Sequence, residues 1–335
     1  MSSIAGALPA RRPVHRGPRR DARTALLYLL PAFLVMGIIT FYPLLFQTWM
    51  SFTDFGIQNL RSGAPAPTWV GLDQYVKIFT NQISGIPNFD FWRILAFNLF
   101  WAFSNVIIHV ILGVAIAILL NNKGLRGRRI YRAIFILPVV IPPIIVATVW
   151  RNMFDQTNGA VNLLAAALLR QPPTSVNIAW LTDPGSPIPF FSLLPLSYFA
   201  LLIANTWLGW PLNAVVATGA LQSIPNDLYE AAQMDGAGAW QKFKTVTLPF
   251  LRPAMLPYAI YGFVITFNLF YLSYFMSNGG PFGRTELLVT QAYRLVNEQH
   301  LYGLAAAFSV IMFFILLALT LVTNRLGKAT ASYAD

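Results

Sequence analysis

The chain has 335 residues, of which 56% are hydrophobic and 10% are charged, and its formal net charge at pH 7 is +11. A soluble globular domain carries about 25% charged residues, so this composition excludes an ordinary soluble domain and predicts a protein solvated by lipid. The absence of cysteine excludes disulfide bonds and cysteine metal sites. The basic excess is compatible with nucleic acid binding, but the positions of the basic residues favour a role in membrane topology.

Six stretches are apolar over about 20 residues, the length that an α-helix needs to cross a bilayer. They cover residues 25–50, 94–120, 133–150, 196–222, 254–277 and 302–323. Prolines inside them do not exclude membrane helices, because neighbouring helices and water satisfy the backbone groups that proline frees. A shorter apolar run at 161–169 predicts an interfacial or packed scoop outside the bilayer. The predicted fold is an all-α integral membrane protein with six transmembrane helices.

Lysine and arginine residues are divided unevenly between the two sets of connections. Sixteen lie in the N-terminal tail, the second and fourth connections and the C-terminus, against seven in the opposite set. Because basic connections stay in the cytoplasm, both termini are predicted to be cytoplasmic. The predicted organisation is a disordered basic cytoplasmic tail (1–24), a first transmembrane helix (25–50), an extracytoplasmic loop (51–93), a transmembrane domain (94–325) with a cytoplasmic loop at 223–250, and a cytoplasmic tail (326–335).

The N-terminal tail and the first span could also be a nucleic-acid-binding arm or a secretory signal. We assign the arginines of the tail to topology, and Pro13, Gly17 and Pro18 make it poorly suited to folding. The apolar run is too long for a secretory signal, and no small-residue cleavage site follows it. An uncleaved first span is therefore expected, and no nucleic acid partner.

The six predicted spans contain a single ionisable side chain, His109. Ion-coupled carriers usually depend on intramembrane ionisable groups, and a lone histidine in an apolar helix more often packs against a polar neighbour. The sequence contains neither G-x-S-x-G nor H-E-x-x-H, so no catalytic residue and no metal site are predicted. The fragment GAGAWQK (236–242) lacks the Gly-Lys-Ser/Thr ending of a phosphate loop. Any transport is therefore expected to draw its energy from another protein.

The stretch EAAQMDGAGAWQKFKTVTLP at 230–249 interrupts the apolar sequence with small and charged residues. Asp227 and Glu230 fit a capping box for a short helix, and Gly236 is predicted to end that helix in a left-handed conformation. A second short helix is predicted over 239–245, ended by Leu248-Pro249. Its predicted apolar anchors are Trp240, Phe243 and Val246. The alanines leave a surface that the backbone of another protein can approach closely.

This stretch resembles the EAA motif of membrane subunits of ATP-binding-cassette importers, E-A-A-x3-G-x9-I-x-L-P. The matching residues are Glu230, Ala231, Ala232, Gly236, Leu248 and Pro249, with Val246 in place of the usual isoleucine. In that family the loop is the coupling helix, which sits in a cleft of the ATPase subunit. The resemblance implies that 230–236, including Asp235, form the docking element.

Other segments, over roughly residues 94–325, resemble the larger membrane subunit of maltose and maltodextrin importers. They are NTWLGWP (205–211), IPNDLYEA (224–231), DGAGAWQKF (235–243), NGGP (278–281) and GLAAAF (303–308). The best-known form of that subunit has eight spans and a large extracytoplasmic domain, whereas this sequence predicts six spans and a loop of about forty residues. The sugar-contact pattern is matched at Asn205, Leu208 and Gly209. Leu212 replaces an aromatic residue, and Gly262, Ile265 and Leu269 also depart from the family pattern.

A sugar site needs amides, hydroxyls and aromatic faces in a largely pre-formed cavity. The predicted substrate pathway comprises Asn205, Leu208, Gly209, Leu212, Thr266 and Asn268. Helical spacing places the four from the fourth span on one face. Ordinary interhelical packing, in which Asn and Thr hydrogen-bond across helices, is the alternative interpretation of each single residue.

The resemblance implies a non-enzymatic subunit of an ATP-driven importer in a prokaryotic cell membrane, which carries a di- or oligosaccharide, most simply maltodextrin, by alternating access. The implied partners are a second related permease subunit, two ATPase subunits at the cytoplasmic loop and an extracytoplasmic sugar-binding protein. ATP and magnesium would bind to the ATPase subunits, and this chain would bind no cofactor. The alternatives are trehalose, a galacto-oligosaccharide or glycerol phosphate as solute, or a stand-alone secondary carrier. A phosphate ligand favours a cationic residue within the spans, and none is found there.

Overall fold

A computed structural model describes residues 18–83, 86, 89–122, 124–173, 175–186 and 194–327 of the protein. These residues are almost entirely helical, as predicted, with one isolated antiparallel bridge between Thr53 and Trp69. The α-helices are α1 (Pro18–Met36), α2 (Tyr42–Met50), α3 (Asp73–Phe79), α4 (Phe91–Asn121), α5 (Arg128–Phe135), α6 (Leu137–Val140), α7 (Pro143–Met153), α8 (Ala160–Leu168), α9 (Leu196–Gln222), α10 (Asn226–Met234), α11 (Ala239–Lys242), α12 (Leu248–Phe267), α13 (Leu288–Asn297) and α14 (Tyr302–Gly327).

Five helical segments among the described residues are long and apolar enough to cross a membrane. They are Ala22–Met50, Phe91–Asn121, Leu196–Gln222, Ala239–Ser277 and Tyr302–Arg325. Each corresponds to a span predicted from the sequence, so the all-α fold with apolar spans is confirmed. The short apolar run predicted as a scoop forms α8.

The remaining predicted span, 133–150, is not one straight helix. It consists of two helical arms, Arg128–Val140 and Pro143–Met153, which meet at an angle of 96°. Ile141 and Pro142 adopt extended conformations between the arms, with ψ of 129° and 132°. Both precede a proline, and a residue before proline is disfavoured in the helical region. The six apolar regions therefore give five spans and one bent pair.

The first span stands apart from the other helices. α1 continues through a π-helical turn at Gly37–Phe41 into α2, and none of its apolar window is buried. α2 packs against a helix of the bundle, α14. The helix begins at Pro18, inside the region predicted to be a disordered tail, and residues 1–17 lie outside the described residues. At the other terminus, α14 reaches Gly327, one residue beyond the predicted start of the C-terminal tail.

The predicted extracytoplasmic loop contains a 3-10 helix at Ile57–Leu60 and α3. The Asp54 carboxylate accepts hydrogen bonds of 2.6 Å from both the backbone N–H and the hydroxyl of Thr68, and the hydroxyl bond lowers the pKa of Asp54. α4 begins at Phe91, three residues before the predicted start, because the Asp90 carboxylate caps it by accepting a bond from Arg93 N at 3.1 Å.

α4 and α9 form the central helix pair, and glycines let them approach closely. A Cβ at Gly113 would meet the side chain of Asn213 and lie 2.9 Å from Ala214 N. A Cβ at Gly209 would meet the ring of His109. His109 is therefore a buried packing residue beside α9, as the sequence favours. α12 packs on both helices of this pair.

Candidate functional site

The loop 223–250 opens with the nine-residue helix α10. Pro225 is the residue before the helix, with φ −59° and ψ 134°, and no side chain caps it. Asp227 lies in the first helical turn, where a carboxylate stabilises the positive end of the helix dipole. The predicted capping box of Asp227 and Glu230 is therefore wrong, because the N-cap is Pro225, two residues before the Asp227 N-cap that the box requires.

α10 ends at Gly236, as predicted. Gly236 has φ +77°, and its N–H donates to Gln233 O at 3.0 Å while Ala237 N–H donates to Ala232 O at 2.9 Å. These bonds satisfy carbonyl groups that the end of a helix would otherwise leave unpaired. The left-handed conformation of Gly236 thus ends α10 and turns the chain toward α11.

The second half of the loop does not stop at Leu248-Pro249. α11 passes through a π-helical segment, Phe243–Thr247, directly into α12, and the whole of Ala239–Ser277 is one long helical segment. Pro249 is the second residue of α12 and directly follows the π-helical segment, and local π-helical geometry is one way in which a membrane helix accommodates a proline. The predicted break at Leu248-Pro249 is therefore wrong, and the loop is joined rigidly to the fifth span.

α10 has an inner and an outer face. On the inner face, Tyr229 and Ala232 pack against a buried cluster that includes Leu221, Ile224 and Val246. The Tyr229 hydroxyl lies 3.0 Å from Thr247 Oγ1. The outer face carries Glu230, Ala231, Met234, Asp235 and Gly236, all exposed, and Met234 is 87% exposed. A protein partner therefore has access to most of the predicted docking residues.

The residues predicted as apolar anchors of the second short helix differ in their burial in the structure. Val246 is buried, but Trp240 is 65% exposed and is not an anchor. Its ring stacks on Phe243 at 5.5 Å between centroids, and Lys244 Nζ lies 5.1 Å from its centroid. With Met234, Trp240 adds exposed apolar surface to this loop.

Two predicted pathway residues, Asn205 and Thr266, lie inside this subunit. Asn205 Nδ2 donates to Asn105 Oδ1 at 2.7 Å, and Asn105 Nδ2 donates to Trp101 O at 2.7 Å. The indole N–H of Trp101 donates to Thr266 O at 3.2 Å. Asn205 and Thr266 are 4% and 5% exposed. These bonds tie α4, α9 and α12 together through polar groups in the interior.

The other predicted pathway residues lie nearer the outside of this subunit. Leu208 and Gly209 are half-buried, whereas Leu212 and Asn268 are exposed. Asn205 and Leu212 thus do not share one environment, although helical spacing places them on one side. Asn205 lies at the centre of the α9 face that packs on α4, so it is buried. Leu212 lies at the edge of that face, so it is exposed.

A cavity of about 840 Å³, which the sequence did not indicate, lies between α2, the end of the fifth span, α13 and α14. Its polar lining residues are Gln47, Asn268, Asn297 and Ser309, and its aromatic ones are Phe46, Phe270, Tyr271, Tyr293 and Tyr302. Amides beside aromatic rings are the groups that bind sugars. Only Asn268 belongs to the predicted pathway, because the other residues meet through tertiary packing of distant segments.

The segment after the fifth span, at the end of the bundle away from α10, is held by an ionic cluster. Arg294 Nε lies 3.0 Å from Glu286 Oε1, and its Nη1 lies 2.8 Å from Glu298 Oε1. Its Nη2 donates to Asn278 O and Oδ1 at 3.0 and 2.9 Å. Burial raises the pKa of Glu286, and the Arg294 guanidinium opposes that rise. The NGGP segment is thus fixed in place by Arg294.

Comparison with known proteins gives one family for most of this chain. Residues 109–331 match the family described as "binding-protein-dependent transport system inner membrane component". A galactooligosaccharides transport system permease protein of Bacillus subtilis, GanP, is 33% identical over 89% of this chain and 69% of its own length.

Two further relatives have maltodextrin or maltose in their names. The maltodextrin permease MalC of Streptococcus pneumoniae is 31% identical over 89% of this chain and 68% of its own length. The maltose/maltodextrin permease MalF of Escherichia coli is 33% identical over 81% of this chain and 51% of its own length.

A solved structure confirms the fold. A chain of a bacterial ABC transporter for import of the acidic polysaccharide alginate superposes with a TM-score of 0.74 at 22% identity, covering 94% of this chain and 99% of that one. Together with the family match over 109–331 and relatives above 30% identity, this shows that the chain belongs to the inner membrane components of binding-protein-dependent transport systems.

Proposed function

We propose that this chain forms half of the translocation pathway of an ATP-driven importer for a di- or oligosaccharide. The observation that carries the proposal is the exposed outer face of α10, with Met234 87% exposed, on a loop joined without a break to the fifth span. A protein that pushes on this face moves a membrane helix directly. The relatives named for galactooligosaccharides and maltodextrin support a sugar as solute.

The partners follow from the surfaces that the subunit exposes. Two ATPase subunits bind ATP and magnesium. One docks on the exposed face formed by Glu230, Ala231, Asp235 and Gly236, while Ala232 on the inner face and Leu248-Pro249 at the start of α12 hold that face in place. A second permease subunit covers the exposed side of α9 and α12 and the first span, of whose apolar window no part is buried here. An extracytoplasmic binding protein delivers the sugar. Both termini lie in the cytoplasm of a prokaryotic cell.

The solute passes between the two permease subunits. Leu208, Leu212 and Asn268 face this path, and Gly209 keeps α9 close to His109. Asn205 and Thr266 do not face the path. Their hydrogen bonds hold together the helices that form it. ATP-driven closure of the ATPase subunits biases an equilibrium between two orientations of the permease pair, which gives alternating access.

Two variants of the docking loop test the coupling. Gly236→Pro forces φ near −65° on a residue that has φ +77°, and Glu230→Lys reverses an exposed charge. Both variants are assembled with the partner subunits in liposomes, and we expect sugar uptake and binding-protein-stimulated ATPase activity to be lost. Gly238→Ala is the control, since Gly238 has φ −69° and open space around it. Wild-type uptake and ATPase activity in both variants would show the coupling assignment to be wrong.

The solute is tested on the binding protein that delivers it. The purified protein is titrated with maltodextrins, galacto-oligosaccharides, trehalose and glycerol phosphate. We expect one of the first two classes to bind in the micromolar range or tighter. Glycerol phosphate as the tightest ligand would overturn the assignment of a neutral sugar.

A further inference from the structure

A smaller, polar cavity lies at the end of the bundle away from α10 and shares no residue with the predicted substrate pathway. Its volume is about 290 Å³, and its walls come from the end of α7, from the turns at 154–156 and 179–182, and from the last residues of the fifth span. Its polar lining includes Arg151, Asn152, Asp155, Gln156, Thr182 and Asn278. All of these residues are exposed, so a ligand in the cavity can contact them.

The aromatic wall of this cavity is held by a buried amide. Asn162 is 1% exposed, and its Oδ1 accepts a hydrogen bond of 2.8 Å from the indole N–H of Trp180. Its Nδ2 donates to Gln156 O at 2.8 Å and to Ile178 O at 3.0 Å. One buried side chain thus joins the two turns. Because the indole N–H is already satisfied, the half-buried Trp180 ring offers its carbon surface to a ligand.

Two opposite charges line the cavity without forming an ion pair with each other, since no ion pair among the described residues includes Arg151 or Asp155. Arg151 makes one long hydrogen bond, from Nη1 to Phe275 O at 3.4 Å. The Asp155 Oδ1 atom accepts from Asn158 N–H at 2.8 Å and from Thr157 N–H at 3.0 Å. The bonds from Asn158 and Thr157 lower the pKa of Asp155, so the carboxylate is ionised at neutral pH. Guanidinium donors and a carboxylate oxygen therefore remain for a third group.

These groups fit a neutral sugar better than an anion. A hydroxyl both donates and accepts, so neighbouring hydroxyls of a sugar can bond to Arg151 and Asp155 together. The carbon surface of Trp180 suits the C–H side of a sugar ring, and the amides of Asn152 and Gln156 add donors and acceptors. A phosphate would meet the Asp155 carboxylate as a like charge, which is unfavourable.

The size and place of the cavity suit one end of a longer ligand. Pockets that enclose a whole small molecule have volumes of about 300–1,000 Å³, and this cavity lies just below that range. It lies where α7 ends, at Met153, and where the helical segment Ala239–Ser277 ends. α7 packs directly against the last part of that segment, the π-helical turn Leu272–Ser277. A ligand here therefore contacts both the bent pair and the fifth span.

We propose that this cavity is a second sugar-binding site, which holds one end of the oligosaccharide at the extracytoplasmic mouth of the path. The ring of the terminal sugar lies on Trp180, and its hydroxyls bond to Arg151 and Asp155. The inference rests on the proposed function for the class of solute and for the side of the membrane. It adds a site outside the path between the permease subunits.

The absence of cysteine from the chain allows a local test. Thr182→Cys places one thiol in the lining of the cavity, and its rate of reaction with a membrane-impermeant maleimide is measured in the assembled importer, in nanodiscs without the binding protein. We expect maltotetraose or a galacto-oligosaccharide to slow the reaction. Adding Arg151→Gln should raise the sugar concentration for half-protection about tenfold, as expected for the loss of a hydrogen bond from a charged group.

Two further variants control this test. Arg61→Cys carries its thiol on an exposed residue of the extracytoplasmic loop outside the cavity, and its labelling should not respond to sugar. Gln156→Ala keeps the backbone oxygen that bonds to Asn162 and removes only the amide. It should weaken protection of Thr182→Cys without lowering the unfolding midpoint, which separates loss of binding from loss of folding.

Three outcomes would overturn the inference. The first is an equal labelling rate of Thr182→Cys with and without either sugar. The second is stronger protection by glycerol phosphate than by the sugars, which would identify an anion as the ligand. The third is protection by the sugar-free binding protein but by no sugar, which would make the cavity part of a docking surface. Wild-type uptake of labelled sugar beside any of these results would leave the proposed function intact, whereas uptake of no sugar would contradict both proposals.

Discussion

Gly113 leaves no room for a side chain between α4 and α9. A methyl group there would meet Asn213 and would lie 2.9 Å from the backbone nitrogen of Ala214, which cannot rotate away. Gly113→Ala is therefore expected to separate the helices and lower stability by about 1–3 kcal/mol. The measurement is the thermal unfolding midpoint of the purified protein.

Gly219→Ala is the matched control for this prediction. It adds the same methyl group to α9 at a position with nothing within 4 Å. Alanine favours helix over glycine by about 1 kcal/mol, so the midpoint is expected to stay the same or rise. Equal losses in the two variants would mean that close packing at Gly113 is not the cause.

Glu286 predicts a pH dependence of stability. Burial raises its pKa above the ordinary 4.5, so the folded protein keeps this proton at pH values where the unfolded chain has lost it. The stability from this group therefore falls as pH rises from 4.5 through the folded pKa, and is constant above it. The unfolding midpoint of the wild type minus that of Glu286→Gln should decrease over that range, because the glutamine has no proton to lose. A wild-type midpoint that instead rises relative to the variant over this range would mean that Arg294, rather than burial, dominates the titration.

The sequence predicts which residues carry polar groups in the spans, but not which way they face. Asn205 and Thr266 hydrogen-bond within this subunit, whereas Asn268 lines the large cavity. Each sits on a helix that is apolar nearly all round, and such a helix has no periodicity from which a facing side can be inferred. The rotation of these helices is set by close packing at Gly113 and Gly209.

At the scale of single elements, two consecutive prolines account for the bend between α6 and α7. We expect Pro142→Ala with Pro143→Ala to let the two arms join as one helix, because Ile141 and residue 142 would no longer precede a proline. The chain lacks cysteine, so spin labels on Tyr131→Cys and Val149→Cys report one distance. Eighteen residues of continuous helix span roughly 27 Å, which exceeds the distance across a 96° bend.

The single variant Pro143→Ala is the control. It leaves Ile141 in front of Pro142, so the short distance should remain. If the double variant also keeps the short distance, packing against α9 and not the prolines produces the bend.

The outer face of α10 predicts a loss of transport without a loss of stability. Ala231 is exposed, so Ala231→Trp should leave the unfolding midpoint unchanged. The added bulk should prevent close approach of the ATPase subunit and abolish ATP-driven uptake in proteoliposomes. Ala231→Ser keeps the surface small and should retain uptake. Wild-type uptake by the tryptophan variant would show that no partner docks on this face.

The sequence predicts elements well where one physical requirement dominates. Apolar length alone gave the five long spans, and glycine at 236 gave the end of α10. The sequence-based prediction was wrong where a proline is compatible either with a continuous helix or with a break in the helix. Leu248-Pro249 was predicted to break a helix, but the helix continues through Pro249 after the π-helical segment Phe243–Thr247, which accommodates the proline. At Ile141–Pro143 the same residue type does break the helix, because two prolines follow in succession.

At the scale of the whole molecule, the subunit has large apolar surfaces that its own chain does not cover. The first span has no buried residues in its apolar window, and its second half, α2, packs on α14. Composition predicts that apolar surface exceeds the capacity of one core, but it does not divide that surface between lipid and protein. The six spans therefore follow from the sequence, whereas the solute path proposed between the subunits does not.

The energy source is the most general consequence of this arrangement. The six spans predicted from the sequence contain one ionisable residue, His109, and it is packed beside Gly209. This composition favours an energy source other than an ion gradient. We propose that work enters through α10 and the helix that continues from it.

Uptake of labelled sugar against a concentration gradient tests this most directly. The permease pair and binding protein are reconstituted in proteoliposomes with and without the ATPase subunits and ATP. We expect accumulation above the external concentration only when both are present, and none under an imposed proton or sodium gradient alone. Accumulation without the ATPase subunits would contradict the assignment of α10 as the site where energy enters.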